Sequence, residues 1–93
     1  MDMKKKHKIP DQGDLPDLSR QKLAVGAKQL RKAVRAGRVR CVYLAENADP
    51  ALTQPLAELC GDNQIQIAWV PTMEALGSAC GIEVGAAAAA VLL

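Results

Sequence analysis

The chain is predicted to adopt an α/β fold with helices on both faces of a sheet. Three observations lead there: short β-prone runs alternate with helix-length segments, the joins between them are brief, and the helices carry their own start and stop residues. Strand–helix–strand–helix order with short connections favours a parallel sheet. At 93 residues the chain can bury one modest core but not two.

Residues 1–16 hold four Lys, one His, two Pro and one Gly, with almost nothing to bury, which predicts a disordered basic arm. Lys4, Lys5, Lys6, His7 and Lys8 read either as a solubilising tail or as a loose phosphate-binding arm. The folded domain is expected over 17–93.

After a short segment at Asp17–Lys22, Leu23–Val25 is a brief β-prone run ended by Gly26. A helix is expected from Ala27 to Ala36, stopped by Gly37. At about 100° per residue, Ala27, Leu30, Ala33 and Val34 fall on one side. Lys28, Arg31, Lys32 and Arg35 fall on the other, with Gln29 at their border. Cys41–Ala45 predicts a short buried strand. Asp49 and Pro50 read as the N-cap and first residue of a second helix. That helix is expected to reach Cys60, with Pro55 shaping its first turns. The alternation in IQIAWV, residues 65–70, predicts another strand, with Tyr43 and Trp69 as core residues on their strands. Pro71–Thr72 leads to a third helix, Met73–Cys80, stopped by Gly81. The Ala-rich end stays open on local grounds: five consecutive Ala favour helix, and a short central strand of small side chains is equally available.

Charge is sharply segregated. Residues 25–40 carry six cations (Lys28, Arg31, Lys32, Arg35, Arg38, Arg40) and no acid. After Arg40 there is no Lys or Arg, while Glu46, Asp49, Glu58, Asp62, Glu74 and Glu83 are acidic. A solvated helix normally mixes both signs, so the unmixed run points to a polyanion, and nucleic acid is the commonest. With one Trp, one Tyr and no Phe, no aromatic platform for stacking several bases is available. Contacts must come from charge, amides and aliphatic groups.

Other chemistry is poorly supported. Cys41, Cys60 and Cys80 are an odd number without a C-x-x-C pair and sit among apolar residues, as buried reduced thiols of a cytosolic protein do. Glu46 and Asp49 are better explained as a loop residue and a helix cap than as a carboxylate pair. No metal or other cofactor is expected, and no nucleophile–base pair is visible. The N-terminus lacks the apolar stretch of a signal peptide, and no run approaches the ~20 apolar residues that span a bilayer. A cytoplasmic protein without membrane contact is expected.

The stretches VGAKQLRKAVRAGRVRCVYLAENADP and LGSACGIEVGAAAAAVLL resemble the kink-turn-binding ribosomal-protein family of the archaeal L-seven-Ae type, in its small bacterial branch. Separated motifs occur in order over about 18–93: the Gly-x-x-x-x-x-Lys helix start, Ala-Glu-x-x-Asp-Pro, and Leu-Gly-x-x-x-Gly-Ile before an Ala-rich end. The resemblance implies a three-layer α/β/α sandwich around a four-stranded mixed sheet, with residues 86–91 as a strand. It also implies a non-enzymatic, monomeric protein that binds kink-turns, sharply bent RNA elements with tandem sheared G·A pairs, in the ribosome or another structured RNA.

Where archaeal and eukaryal members read Gly-Thr/Ala-Asn-Glu-x-x-Lys, this chain has Gly26, Ala27, Lys28, Gln29, Leu30, Arg31 and Lys32. Gln29 can donate to and accept from a guanine edge; Lys28 can reach a guanine oxygen or a phosphate, with Lys32 one turn further on. Gly26 lets RNA approach backbone N–H groups at the positive helix end. Arg31, Arg35 and Arg38 are then placed for phosphates crowded by the bend. In the loop at 81–85, Ile82 and Val84 would pack on an extruded base, and Glu83 would accept from a base amino group or cap an amide. The alternative makes Ile82 and Val84 core residues flanking a turn. A competing function is a protein-interaction module whose basic helix docks an acidic partner.

Overall fold

A computed structural model of the chain describes residues 16–93. The expected basic arm therefore lies, apart from Pro16, outside the described residues. Chain order is β1 (Leu23–Val25), α1 (Ala27–Arg35), β2 (Val39–Ala45), α2 (Pro50–Asp62), β3 (Ile67–Val70), α3 (Met73–Ala79) and β4 (Ala88–Leu92).

The four strands form one sheet in the order β1-β4-β2-β3. β2 and β3 are parallel, from Val42 opposite Ile67 to Ala45 opposite Val70, as their helical connection requires. β4 is antiparallel to both β1 and β2, so the sheet is mixed, as the family resemblance implies, and the parallel sheet favoured by element order alone is corrected. The chain leaving α3 enters the middle of the sheet against the direction of its neighbours, a choice made by pairing partners far away in sequence.

Two helices cover one face and one covers the other, giving three layers. Leu30 and Val34 of α1 and Leu56 and Cys60 of α2 pack with Val42, Leu44, Ala88 and Ala90. On the opposite face Leu76 and Cys80 join Ala45, Val70, Ala89 and Val91. Successive β4 residues thus feed opposite cores, and Ala88, Ala89 and Ala90 are each fully buried. Small side chains on a central strand let helices approach from both sides, and this tertiary fit overrides alanine's helical preference. The strand occupies 88–92 rather than 86–91 because the Ala86 N–H donates to the Met73 carbonyl at 3.0 Å, holding residue 86 to α3.

Local chemistry explains the helix ends. Asp49 Oδ1 accepts from the Ala51 N–H at 2.9 Å, with Pro50 in the first turn where its missing N–H costs nothing. α2 runs past Cys60 to Asp62, and Asn63 Nδ2 donates to the Leu59 carbonyl at 2.8 Å. Gln64 turns back at φ 59°, and the Ile65 N–H closes on Cys60 at 2.8 Å, so β3 starts at Ile67 and not at Ile65. Thr72 Oγ1 caps α3 by accepting from the Ala75 N–H at 3.0 Å. β2 starts at Val39, two residues before the expected Cys41, because Val39 already pairs with Leu92.

A seven-residue α3 cannot cover its whole face of the sheet. Cys41 and Tyr43 there are half-buried, as is Trp69 on the other face, so neither aromatic is a fully enclosed core residue. Burial pushes the thiols of Cys41, Cys60 and Cys80 up from their ordinary range, Arg40 partly opposing this at Cys41. All three cysteines are free, and raised thiols are poor nucleophiles at neutral pH.

Ala89→Leu is expected to destabilise the domain by about 1–3 kcal/mol through overpacking, although alanine is a weak strand former. A urea-denaturation midpoint as high as that of the unaltered protein would contradict this account of β4.

Candidate nucleic-acid interface

Two segments far apart in sequence meet at one end of the sheet. β1 pairs with β4 so that Val25 lies opposite Ala89, and the Gly26 N–H donates to the Ala88 carbonyl at 2.9 Å. This bond places the first turn of α1 next to the exit of the loop at 81–85.

Gly26 has φ 98° and ψ 158°, a conformation that side-chain-bearing residues rarely adopt. It lets the chain pass from strand to helix without an intervening loop. The Gly26 carbonyl accepts from the Leu30 N–H at 2.9 Å. Among the described residues no side chain caps the helix, and no acid stands in its first turn. The amides of Ala27, Lys28 and Gln29 therefore head a positive helix end without a competing side-chain acceptor.

Along α1, Leu30 and Val34 are buried while Lys28, Gln29, Arg31, Lys32 and Arg35 are exposed. Lys28, Arg31, Lys32 and Arg35 line one shallow hollow on the outer face of the helix. No Asp or Glu occurs between residues 18 and 45, so nothing on these elements offsets that charge. Arg38, expected beside Arg31 and Arg35, instead lies past Gly37 (φ 68°) and lines the other flank of α1 with Gln29 and Lys32.

The loop at 81–85 is seated on α3. Gly81 turns at φ 80°, the Ile82 N–H donates to the Gly77 carbonyl at 3.0 Å, and the Ala86 N–H to Met73. Val84 is 70% exposed and Ile82 36% exposed, which overturns the alternative that both are core residues. Glu83, between them, is exposed as well. An aliphatic ridge in water is unusual enough to ask for a partner.

Gly77 and Asn47 are the two supports that the sequence reading missed. A Cβ on Gly77 would run into the Val84 carbonyl, and one on Gly85 would come within 3.0 Å of Met73 Cβ. These glycines let loop and helix lie in direct backbone contact. Glycine inside a seven-residue helix was the available signal. Asn47 Oδ1 accepts from the Met73 N–H at 2.8 Å, tying the turn after β2 to the start of α3. On the far side of α3, Asp17 accepts from the Ser19 hydroxyl and backbone, which holds its carboxyl below the usual range. Among the described residues no cluster of three or more metal-ligating side chains occurs, and no helix is long and apolar enough to cross a membrane.

Residues 13–92 match the model of the ribosomal protein L7Ae/L30e/S12e/Gadd45 family. The chain belongs to this family. An RNA-binding protein of Bacillus pumilus is 44% identical over 73 residues, 78% of this chain and 89% of the relative. RNA-binding protein TTE2299 of Caldanaerobacter subterraneus is 45% identical over 69 residues, 74% of this chain and 84% of the relative. Among solved structures, the Giardia lamblia 15.5kD RNA binding protein superposes with a TM-score of 0.72 at 28% identity, covering 76% of this chain and 60% of that one. A protein with unknown function from Bacillus halodurans superposes with a TM-score of 0.69 at 32% identity, covering 74% and 69%.

In this member of the family, Gly77→Ala should force the loop away from α3. About 1–3 kcal/mol of stability is expected to be lost, with the largest amide chemical-shift changes at 82–86 and little change in α1. Shifts spread evenly over the domain, or none at the loop, would contradict the seating described.

Proposed function

We propose that this protein is a non-enzymatic RNA-binding protein that recognises and stabilises kink-turns in structured RNA, in the cytoplasm and in association with the ribosome. The observation that carries the reading is the junction at Gly26 and Ala88, which sets an uncapped, cationic helix start beside an exposed aliphatic loop. Family membership and relatives named as RNA-binding proteins support it.

The proposed division of labour follows from residue chemistry. The backbone at Gly26 and Ala27 allows close approach of RNA to the helix end. Lys28 and Gln29 face the sheared G·A pairs, the amide of Gln29 matching guanine's donors and acceptors. Arg31, Lys32 and Arg35 meet phosphates of the two arms, which a bend brings together. Ile82 and Val84 cover an extruded base, and Glu83 accepts from a base amino group. A fixed array of cations is satisfied best by crowded phosphates, so bent RNA is held more tightly than straight RNA and the population shifts accordingly.

Lys28→Ala and Lys32→Ala should each weaken binding to a kink-turn RNA by roughly tenfold and lower the salt slope by about 0.7–0.9. Gln29→Ala should chiefly reduce discrimination between G·A and Watson–Crick pairs, by about 1–3 kcal/mol. Gel-shift affinities unchanged in all three variants would refute the proposal. So would fluorescence transfer in low-magnesium buffer showing that the protein leaves the RNA's bend distribution as it was.

A further inference from the structure

α1 has a second flank that the reading above does not use. Among the described residues β1 is an edge strand, paired only with β4. The Gly26 N–H bonds to Ala88 and the Lys22 carbonyl accepts from Leu92 at 2.8 Å, both on the β4 side. In an antiparallel pair the intervening residues alternate, so the backbone N–H and C=O of Leu23 and Val25 lie along the open edge. Between that edge and α1 runs a groove of about 520 Å³, lined by Leu23, Val25, Gln29, Lys32, Ala36 and Arg38, among others.

Its chemistry is mixed in a particular way. The edge supplies backbone donors and acceptors, Ala33 and Ala36 supply aliphatic walls while the Leu23 side chain packs on the opposite face of the sheet, and Lys32 and Arg38 supply positive charge. Arg38 is held at its backbone from both sides: its N–H donates to Ala33 at 3.1 Å and its carbonyl accepts from the Leu93 N–H at 2.9 Å. Gln29 and Lys32 belong both to this groove and to the helix surface proposed to meet RNA, so the two surfaces are continuous.

We infer that this groove takes an unpaired nucleotide of the bound RNA, its phosphate on Lys32 and Arg38 and its base edge on the backbone of Leu23 and Val25. The inference rests on the RNA reading and extends its footprint. An unpaired base offers donors and acceptors along its Watson–Crick edge, which an open strand edge can match. A peptide added as a further strand is the rival occupant. It fits less well, because only three residues of edge are available and the two cations select for phosphate. The groove contains no aromatic ring for successive bases to stack on, so it holds a single nucleotide.

The experiment titrates a short oligouridine into isotope-labelled protein, free and saturated with a kink-turn RNA trimmed of unpaired nucleotides outside the kink, so that the RNA leaves the groove empty, and follows amide shifts. The wild type should show shifts centred on Leu23, Val25 and Ala36 in both states, with a salt slope of about −0.7 for each phosphate engaged. Ala36→Phe fills the groove without changing charge; it should abolish the oligouridine shifts and leave kink-turn affinity unchanged. Arg38→Gln should weaken oligouridine binding roughly tenfold. Shifts that survive Ala36→Phe, absence of shifts in the wild type, or the same amides moved by an acidic peptide and not by oligouridine, overturn the inference. Oligouridine shifts without any kink-turn binding would sink the kink-turn reading and leave the groove as a single-strand site.

Discussion

The pairing of β1 with β4 is the constraint on which the rest depends. The two strands are short, and among the described residues β1 has no other neighbour in the sheet. Their alignment, carried one residue further by the bond from Gly26 to Ala88, makes one surface of a helix start and a loop more than fifty residues apart in the chain. Shifting the register by one residue would turn the Ala faces of β4 towards the wrong cores and pull the loop off the helix end. Site and core are therefore specified by the same ladder.

Small residues set the distances everywhere else. Ala88, Ala89 and Ala90 let helices approach the sheet from both faces, and Gly77 and Gly85 let the loop lie on α3 with no side chain between. A core built this way makes little use of large rings; Trp69 and Tyr43 stay half-buried at the margins. Close approach of backbone elements substitutes for aromatic bulk, and it leaves Ile82 and Val84 outside, where a partner can cover them.

Much of this was legible in the residues. The amphipathic pattern of α1, the Asp49–Pro50 helix start and the glycine stops at 37 and 81 are local signals, and each sits where local chemistry puts it. Strand direction was not legible in the local pattern, because a strand's own sequence says nothing about which neighbour it will meet; the mixed sheet came from the family resemblance. The Ala-rich end needed either the family resemblance or the tertiary context, since propensity and burial pull it in opposite directions. At the candidate interface, the exposure of Ile82 and Val84 was one of two readings available. Gly77 showed only as a glycine inside a short helix, and Asn47 not at all, because their partners, Val84 and Met73, are not their periodic neighbours; Arg38 fell on another flank because Gly37 redirects the chain.

The central position of β4 has a bearing on how the molecule comes into being. β4 follows every other strand in sequence yet lies between β1 and β2, so all the elements from β1 to α3 must be synthesised before either core can close. Until then β1 has nothing to zip to, and α1 and α2 have only part of the surface they finally cover. Such non-local closure is slow compared with helix formation, and it leaves apolar segments in contact with water while translation proceeds. It also means that a nascent chain stopping short of residue 81 carries the positive helix without the aliphatic loop that finally lies beside it.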